Sequence, residues 1–124
     1  IIAQGLLTPV DGVLIVEDPD AHMHPSVQAE LVNFFADLVA HGRKVIVESH
    51  SDHLVTRMRL LLAKQEIKPA DVNVCFVSNV EGHSEYISCA LTEKGIFSEP
   101  LPEGFMDTQE NDFKNIIKLQ FANK

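Results

Sequence analysis

The chain of 124 residues is poor in basic side chains, with 10 Lys and Arg against 18 Asp and Glu and a formal net charge of −8. Gripping a phosphate backbone takes clustered Lys and Arg, so this segment alone is not expected to hold nucleic acid. Cysteine is scarce as well. Cys75 and Cys89 show neither metal-ligand nor redox spacing, and read as two reduced thiols of a cytoplasmic protein. No apolar run approaches the roughly 18 residues of a membrane span, so no membrane partner is expected. A charged leader is missing from Ile1-Ile2-Ala3, and Asp11 interrupts the apolar stretch that follows, so a signal peptide is not expected either. Repeats and low-complexity tracts are absent. What is present is ordinary for one folded domain: 45% hydrophobic and 23% charged residues, which argues against disorder. Histidine is the exception. There are six, and His22, His24, His50 and His53 all fall beside expected strand ends.

The order of elements predicts an α/β fold. Ile1 to Leu7 reads as the end of an apolar helix, and the abrupt start suggests a piece of a longer protein. Val13-Leu14-Ile15-Val16, after the Pro9/Asp11-Gly12 turn, is a continuous apolar run of the kind found in buried parallel strands. Pro25 suits a first helical position, and Val27, Leu31, Phe34, Phe35, Leu38 and Val39 follow at helical spacing up to Gly42. Val45-Ile46-Val47 is a second buried strand. Ser51 or Asp52 can cap a next helix that buries Leu54, Val55, Met58, Leu61 and Leu62 and exposes Arg57, Arg59 and Lys64. Strand, helix, strand, helix is the unit of a parallel sheet with right-handed crossovers.

Beyond residue 70 the pattern changes. Val72 to Ser78 and Ser84 to Leu91, separated by Asn79-Val80-Glu81-Gly82, predict an antiparallel hairpin. A turn-rich stretch, Thr92 to Gly104, leads to a helix from Thr108 to Phe121. Asp107 and Glu110 are placed as a capping box, and Phe113, Ile116, Ile117 and Phe121 form its expected buried face. The expected division is 1–70 for the parallel part and 71–124 for the final strands and a small C-terminal addition.

Both expected parallel strands end in polar residues, where open α/β sheets bind ligands. The first ends in Glu17-Asp18-Pro19-Asp20 and the second in Glu48-Ser49-His50-Ser51. An apolar strand running into adjacent acids has the form of a Walker B motif. One carboxylate can help hold Mg²⁺ on nucleotide phosphates, and a neighbouring one can orient or deprotonate the attacking water. A histidine at the adjacent strand end can reach a γ-phosphate or the same water.

VLIVEDPDAHMHP followed by VIVESHSDHL resembles the C-terminal half of an ABC-type ATPase domain, and within that group the bacterial AAA-family P-loop ATPases related to the SMC and overcoming-lysogenization-defect (OLD) proteins. Their pattern is an apolar strand, E-E-P-E-x-H-L-H-P, a helix, and an apolar strand ending in E-T-H-S. The resemblance covers about residues 12 to 55. Gly95-Ile96-Phe97 and Leu101-Pro102-Glu103-Gly104-Phe105-Met106-Asp107 resemble the W-P-x-G-F-F-D segment of a C-terminal domain of unknown function that follows this ATPase type.

This resemblance implies ATP and Mg²⁺ as cofactors. It puts Glu17 at the Walker B acid that helps hold Mg²⁺, Asp18 at the catalytic acid that polarises water, and His50 at the switch histidine. Pro19, Asp20, His22 and His24 fall in the D-loop, which crosses to the partner subunit in ABC dimers. It further implies a homodimer, a nucleotide-binding N-terminal half that supplies the missing parts, and DNA or an effector protein as partner of the whole.

Two departures stand out. Asp18 replaces the usual glutamate and is one methylene shorter, about 1.5 Å; misplacement on that scale can cost on the order of 10²-fold in rate. None of the six glycines falls in G-x-x-x-x-G-K-[ST], the loop whose backbone N–H groups and Lys cradle phosphates. The 124 residues therefore carry the hydrolysis side of a site without its phosphate-binding side, and by themselves are expected to be inactive.

Two other readings compete. His22-Met23-His24 is an H-x-H after a strand, and with His50 and His53 it could form the zinc site of a metal-dependent hydrolase. Alternatively the segment is a non-catalytic dimerisation module, with Arg43, Lys44, Arg57 and Arg59 available to a partner. Two parallel strands do not make a doubly covered sheet, so self-association or swapping over the open edge is also expected.

Overall fold

A computed structural model describes residues 2–102, 104, 105 and 108–122. Contacts divide the chain into two compact units. One runs to Lys68 and takes in Glu93–Gly95; the other comprises Pro69–Thr92 and the residues from Ile96 on. The architecture is α/β, with one parallel strand pair, helices, an antiparallel hairpin and a C-terminal helix.

In the first unit, helix α1 (Ile2–Leu7) precedes strand β1 (Val13–Glu17), helix α2 (Pro25–Ala40), strand β2 (Lys44–Glu48) and helix α3 (Asp52–Ala63). β1 and β2 are parallel, in a register from Val13 opposite Lys44 to Glu17 opposite Glu48. Alternate residues of a strand point to opposite faces. Leu14 and Val16 therefore share one face with Val45 and Val47, and this face is covered by Leu31, Val32, Phe35 and Leu38 of α2 and by Leu54 and Leu61 of α3. The other face carries Val13, Ile15 and Ile46, which are 48%, 68% and 57% exposed. The strands expected to be buried are thus covered on one side only, because among the described residues both packing helices feed a single core.

α2 starts at Pro25, as its fixed φ favours. Its buried stripe is Leu31, Val32, Phe35 and Leu38, whereas Val27 and Val39, expected inside, are exposed. The helix ends in a Schellman motif: Gly42 at φ +87° donates its N–H to the Val39 carbonyl, and Arg43 donates to that of Leu38. α3 ends the same way, with Gln65 at φ +62° and N–H bonds from Gln65 to Leu62 and from Glu66 to Leu61. On α3, Leu54, Leu61 and Leu62 are buried, but Val55 and Met58 only half-buried. Arg57 and Arg59, expected on a solvated face, are half-buried too. Arg57 reaches Glu30 at 3.9 Å, and the Arg59 Nε donates to the Gly95 carbonyl at 2.7 Å.

In the second unit, a 3₁₀ turn (Pro69–Asp71) leads into β3 (Val74–Val80) and β4 (His83–Cys89), antiparallel, with Val80 opposite His83. The connection is shorter than the four residues expected. Only Glu81 and Gly82 form it, both at positive φ (51° and 83°), as the type I′ hairpin turn requires. On one face of the hairpin Phe76 stacks on Phe105 with ring centroids 4.8 Å apart, and Phe97 meets Phe105 edge-on at 6.1 Å. Val74 and Cys89 pair on this face; Cys75, Val77 and Tyr86 lie on the other. The two thiols are free and occupy opposite faces. Burial pushes the Cys89 thiol above its ordinary range, only partly countered by a hydrogen bond from the Phe76 backbone and reinforced by the nearby Cys75.

The last helix, α4 (Thr108–Ala122), forms where its periodicity predicts. Its apolar face is largely exposed: Phe113, Ile116, Ile117 and Phe121 are 57%, 48%, 50% and 67% exposed. Periodicity marks an amphipathic helix but does not supply the surface it packs on. The capping-box pair falls on Asp107 and on the Glu110 side chain, which lie outside the described residues.

Candidate functional site

The parallel register brings the ends of β1 and β2 side by side. Adjacent strands lie about 4.8 Å apart, and Glu17 is the register partner of Glu48. Their carboxylates share the face of Ile15 and Ile46, so that face passes from apolar to acidic at its C-terminal end. The pairing runs one step further: the Asp18 N–H donates to the Glu48 carbonyl at 2.8 Å. At that residue the chain leaves the pleat, with Asp18 at φ +44° and His22 at φ +64°. Left-handed backbone costs an L-residue roughly 1–2 kcal/mol, and it persists where its surroundings hold it.

The loop from Asp18 to His24 is a folded turn. Pro19 is buried. The Ala21 N–H donates to the Asp18 carbonyl and the Met23 N–H to that of Asp20, both at 3.1 Å. The Asp20 carboxylate accepts from the Ser49 hydroxyl at 2.5 Å, joining the loop after β1 to the loop after β2. His24 is the N-cap of α2: its Nδ1 accepts from the Ser26 N–H at 3.2 Å and lies 2.8 Å from the Ser26 hydroxyl. Glu17, Asp18, His22, His50 and His53 are exposed. Asp18 and His50 therefore stand on neighbouring strand ends with accessible side chains.

The zinc arrangement does not form. Among the described residues no three His, Cys, Asp or Glu side chains converge to hold a metal ion. The physical reason lies in the backbone. His24 turns its ring back to cap α2, and His22 sits on a left-handed residue that breaks the alternation an H-x-H ligand pair needs. The oxygen donors at the strand ends do suit Mg²⁺. That ion is usually held by one or two carboxylates, with water and substrate phosphates completing its shell, rather than by an all-protein cage. Glu17 and Asp18, exposed beside each other, fit that demand.

Three residues of this region were not among those picked from the sequence for the site. Gln28, Ser49 and Ser51 are half-buried and hydrogen-bonded together. A signal for Gln28 did exist: it stands three residues before Leu31, at the head of the buried stripe of α2, where an apolar residue is expected. Ser51 begins α3 as anticipated, at φ −91° and ψ 117°, but its hydroxyl does not cap the helix. It donates instead to the Gln28 Oε1 at 2.6 Å.

Residues 9–55 match the family model of an AAA ATPase domain. That stretch runs from the turn before β1 to the first turn of α3 and includes both strand ends. It is similar to part of such an ATPase domain, a family whose members in general use nucleotide and Mg²⁺. Neither the curated proteins nor the solved structures gave a match. Among the described residues no helix is long and apolar enough to cross a membrane.

Proposed function

We propose that this chain supplies the hydrolysis side of an ATP site in an ABC/SMC-like, OLD-related ATPase, with Glu17 as the Walker B acid, Asp18 as the water-orienting carboxylate and His50 as the switch histidine. The observation that supports the reading is the shared end of β1 and β2, where Glu17 pairs with Glu48 and the two loops that carry Asp18 and His50 begin, within the stretch similar to an AAA ATPase domain. Glu17 would hold Mg²⁺ through its carboxylate, and the bound ion would offset the charge of the phosphates. Asp18 accepts a hydrogen bond from the attacking water and takes its proton. His50, on the neighbouring loop, donates to an oxygen of the γ-phosphate, where charge changes during transfer.

The phosphate-cradling loop lies outside these 124 residues in this reading. A complete site then needs the N-terminal half of the ATPase and, with Pro19 to His24 as a D-loop, a second subunit in a cytoplasmic homodimer. The residues after 70 are the final strands and a small C-terminal addition. DNA or an effector protein as partner of the whole rests on the sequence resemblance alone. Slow turnover, suited to a switch, follows from the shorter Asp18.

The test is Mg²⁺-ATP turnover by the intact ATPase beside its Asp18→Asn variant. The expected result is turnover in the first, and nucleotide retained without hydrolysis in the second. Equal turnover by both removes Asp18 from the mechanism, and no turnover by the intact protein removes the ATPase reading.

A further inference from the structure

Four side chains near the strand ends close a ring of hydrogen bonds. The Asp20 Oδ1 accepts from the Ser49 hydroxyl at 2.5 Å, and the Ser49 oxygen accepts from the Ser51 N–H at 3.0 Å. The Ser51 hydroxyl donates to the Gln28 Oε1 at 2.6 Å. The Gln28 Nε2 then donates to the Met23 carbonyl at 2.9 Å and, more weakly, to the Asp20 carbonyl at 3.4 Å. The circuit starts and ends on Asp20. It spans the loop after β1, the first turn of α2 and the loop after β2, across sequence separations of 29 and 23 residues. Each of these contacts is part-buried, so water competes poorly for it. The donors and acceptors also balance. Each serine hydroxyl spends its one hydrogen inside the ring, and the glutamine uses both its donor and its acceptor end.

The ring encloses the strained part of the backbone. Asp18 and His22, both left-handed, lie on either side of Asp20, and Ser49 is the residue before His50. Fixing Asp20 to Ser49 therefore sets the exit of β1, which aims Asp18, and the exit of β2, which aims His50. A carboxylate accepting a serine hydroxyl is a charge-assisted bond, stronger than a neutral one.

We propose that Ser49, with Gln28 and Ser51, positions the site without touching nucleotide: the ring closed on Asp20 locks the two strand-end loops together, so that a change in one is carried to the other. Its consequence for rate rests on the ATPase reading above; its consequence for loop order does not. Ser49 and Gln28 are positioning residues in this scheme, acting through Asp18 and His50.

Two measurements separate the inference from that reading. In the 124-residue chain, hydrogen exchange at the amides of Asp18, Ala21 and Met23 is compared for Ser49→Ala and Ser49→Thr. Ser49→Ala is expected to speed exchange at these amides by about tenfold or more, the usual scale for a lost charge-assisted bond, while the amides of Phe35 and Leu38 in the middle of α2 keep their rates. Ser49→Thr keeps the hydroxyl and should stay near the parent. In the intact ATPase, Ser49→Ala is expected to lower kcat by on the order of 10-fold to 10²-fold with KM for Mg²⁺-ATP unchanged, and Ser49→Thr to restore it. Should Ser49→Ala fail to fold, Gln28→Met opens the opposite side of the ring with the same expectations.

Unchanged loop exchange in the alanine variant overturns the inference whatever turnover does. A loosened loop with unchanged kcat overturns it as well. A loosened loop in a protein whose unmutated form shows no turnover supports the lock and overturns the ATPase reading instead.

Discussion

Gly95→Ala, paired with Gly82→Ala, tests the packing of the first unit directly. Both glycines have positive φ, +74° and +83°, so an alanine at either meets the same backbone penalty of roughly 1–2 kcal/mol. Their surroundings differ. A Cβ at Gly82 has nothing within 4 Å, whereas one at Gly95 would lie 2.2 Å from the Arg59 carbonyl oxygen and 3.0 Å from its carbonyl carbon. These are backbone atoms of α3, so no side chain can swing aside. Residue 95 must withdraw from the helix, and its carbonyl then leaves the Arg59 Nε that donates to it at 2.7 Å. A hydrogen bond to a charged group contributes about 1.5–3 kcal/mol. Gly95→Ala should therefore cost about 1.5–3 kcal/mol more than Gly82→Ala, and the excess should appear in the first unit. Urea unfolding followed by amide exchange at α3 and at the hairpin measures the two separately. If Gly95→Ala proves no more costly than Gly82→Ala, the close approach of residue 95 to α3 is wrong.

Three further outcomes are expected. If the proposed ATPase reading holds, His50→Ala in the longer protein should slow turnover by on the order of 10²-fold through loss of charge stabilisation at the γ-phosphate, while His53→Ala, one residue into α3, should change it little; equal losses would undo the proposed role of His50. The two cysteines should differ in reactivity. Cys75 is exposed, and burial raises the Cys89 thiol, so at mildly alkaline pH less of Cys89 is thiolate and iodoacetamide should label Cys75 first. Raising the pH should narrow the gap, and mass spectrometry of the labelled peptides reads it; Cys89 reacting first would contradict the burial given to it. Glu30→Gln should cost no more than about 1 kcal/mol by urea unfolding, because Glu30 is 69% exposed and its pair with Arg57 at 3.9 Å is screened by water.

Much of the parallel part was legible from local signals. Apolar runs of four and three residues, a proline where α2 begins and Gly42 where it ends each act through backbone rules that need no partner. The two acidic or histidine-bearing strand ends were legible for the same reason, since a strand must stop where its apolar run stops. The hairpin was legible too, although Val80 and His83 extend it further than turn composition alone suggests.

Burial was less legible, because a side chain is buried by what stands opposite it. Val13, Ile15 and Ile46 are as apolar as Leu14 and Val16, yet α2 and α3 pack on the other face. Phe113, Ile116, Ile117 and Phe121 have the spacing of a buried stripe, yet each stays about half exposed or more. Val32 is inside and Val27 outside, a rotation of the helix that periodicity leaves open within one residue.

In the candidate site the division is similar. The sequence by itself determined which chemistry is present: two adjacent carboxylates after one strand and a histidine after the next. Only the tertiary structure decided that the four histidines do not converge as a metal site, and that Gln28 meets Ser51 and Asp20 meets Ser49. Those bonds join residues 23 and 29 positions apart. Local propensity acts over a few residues; a contact at that distance exists only once two strands have been set in register and a helix laid across them.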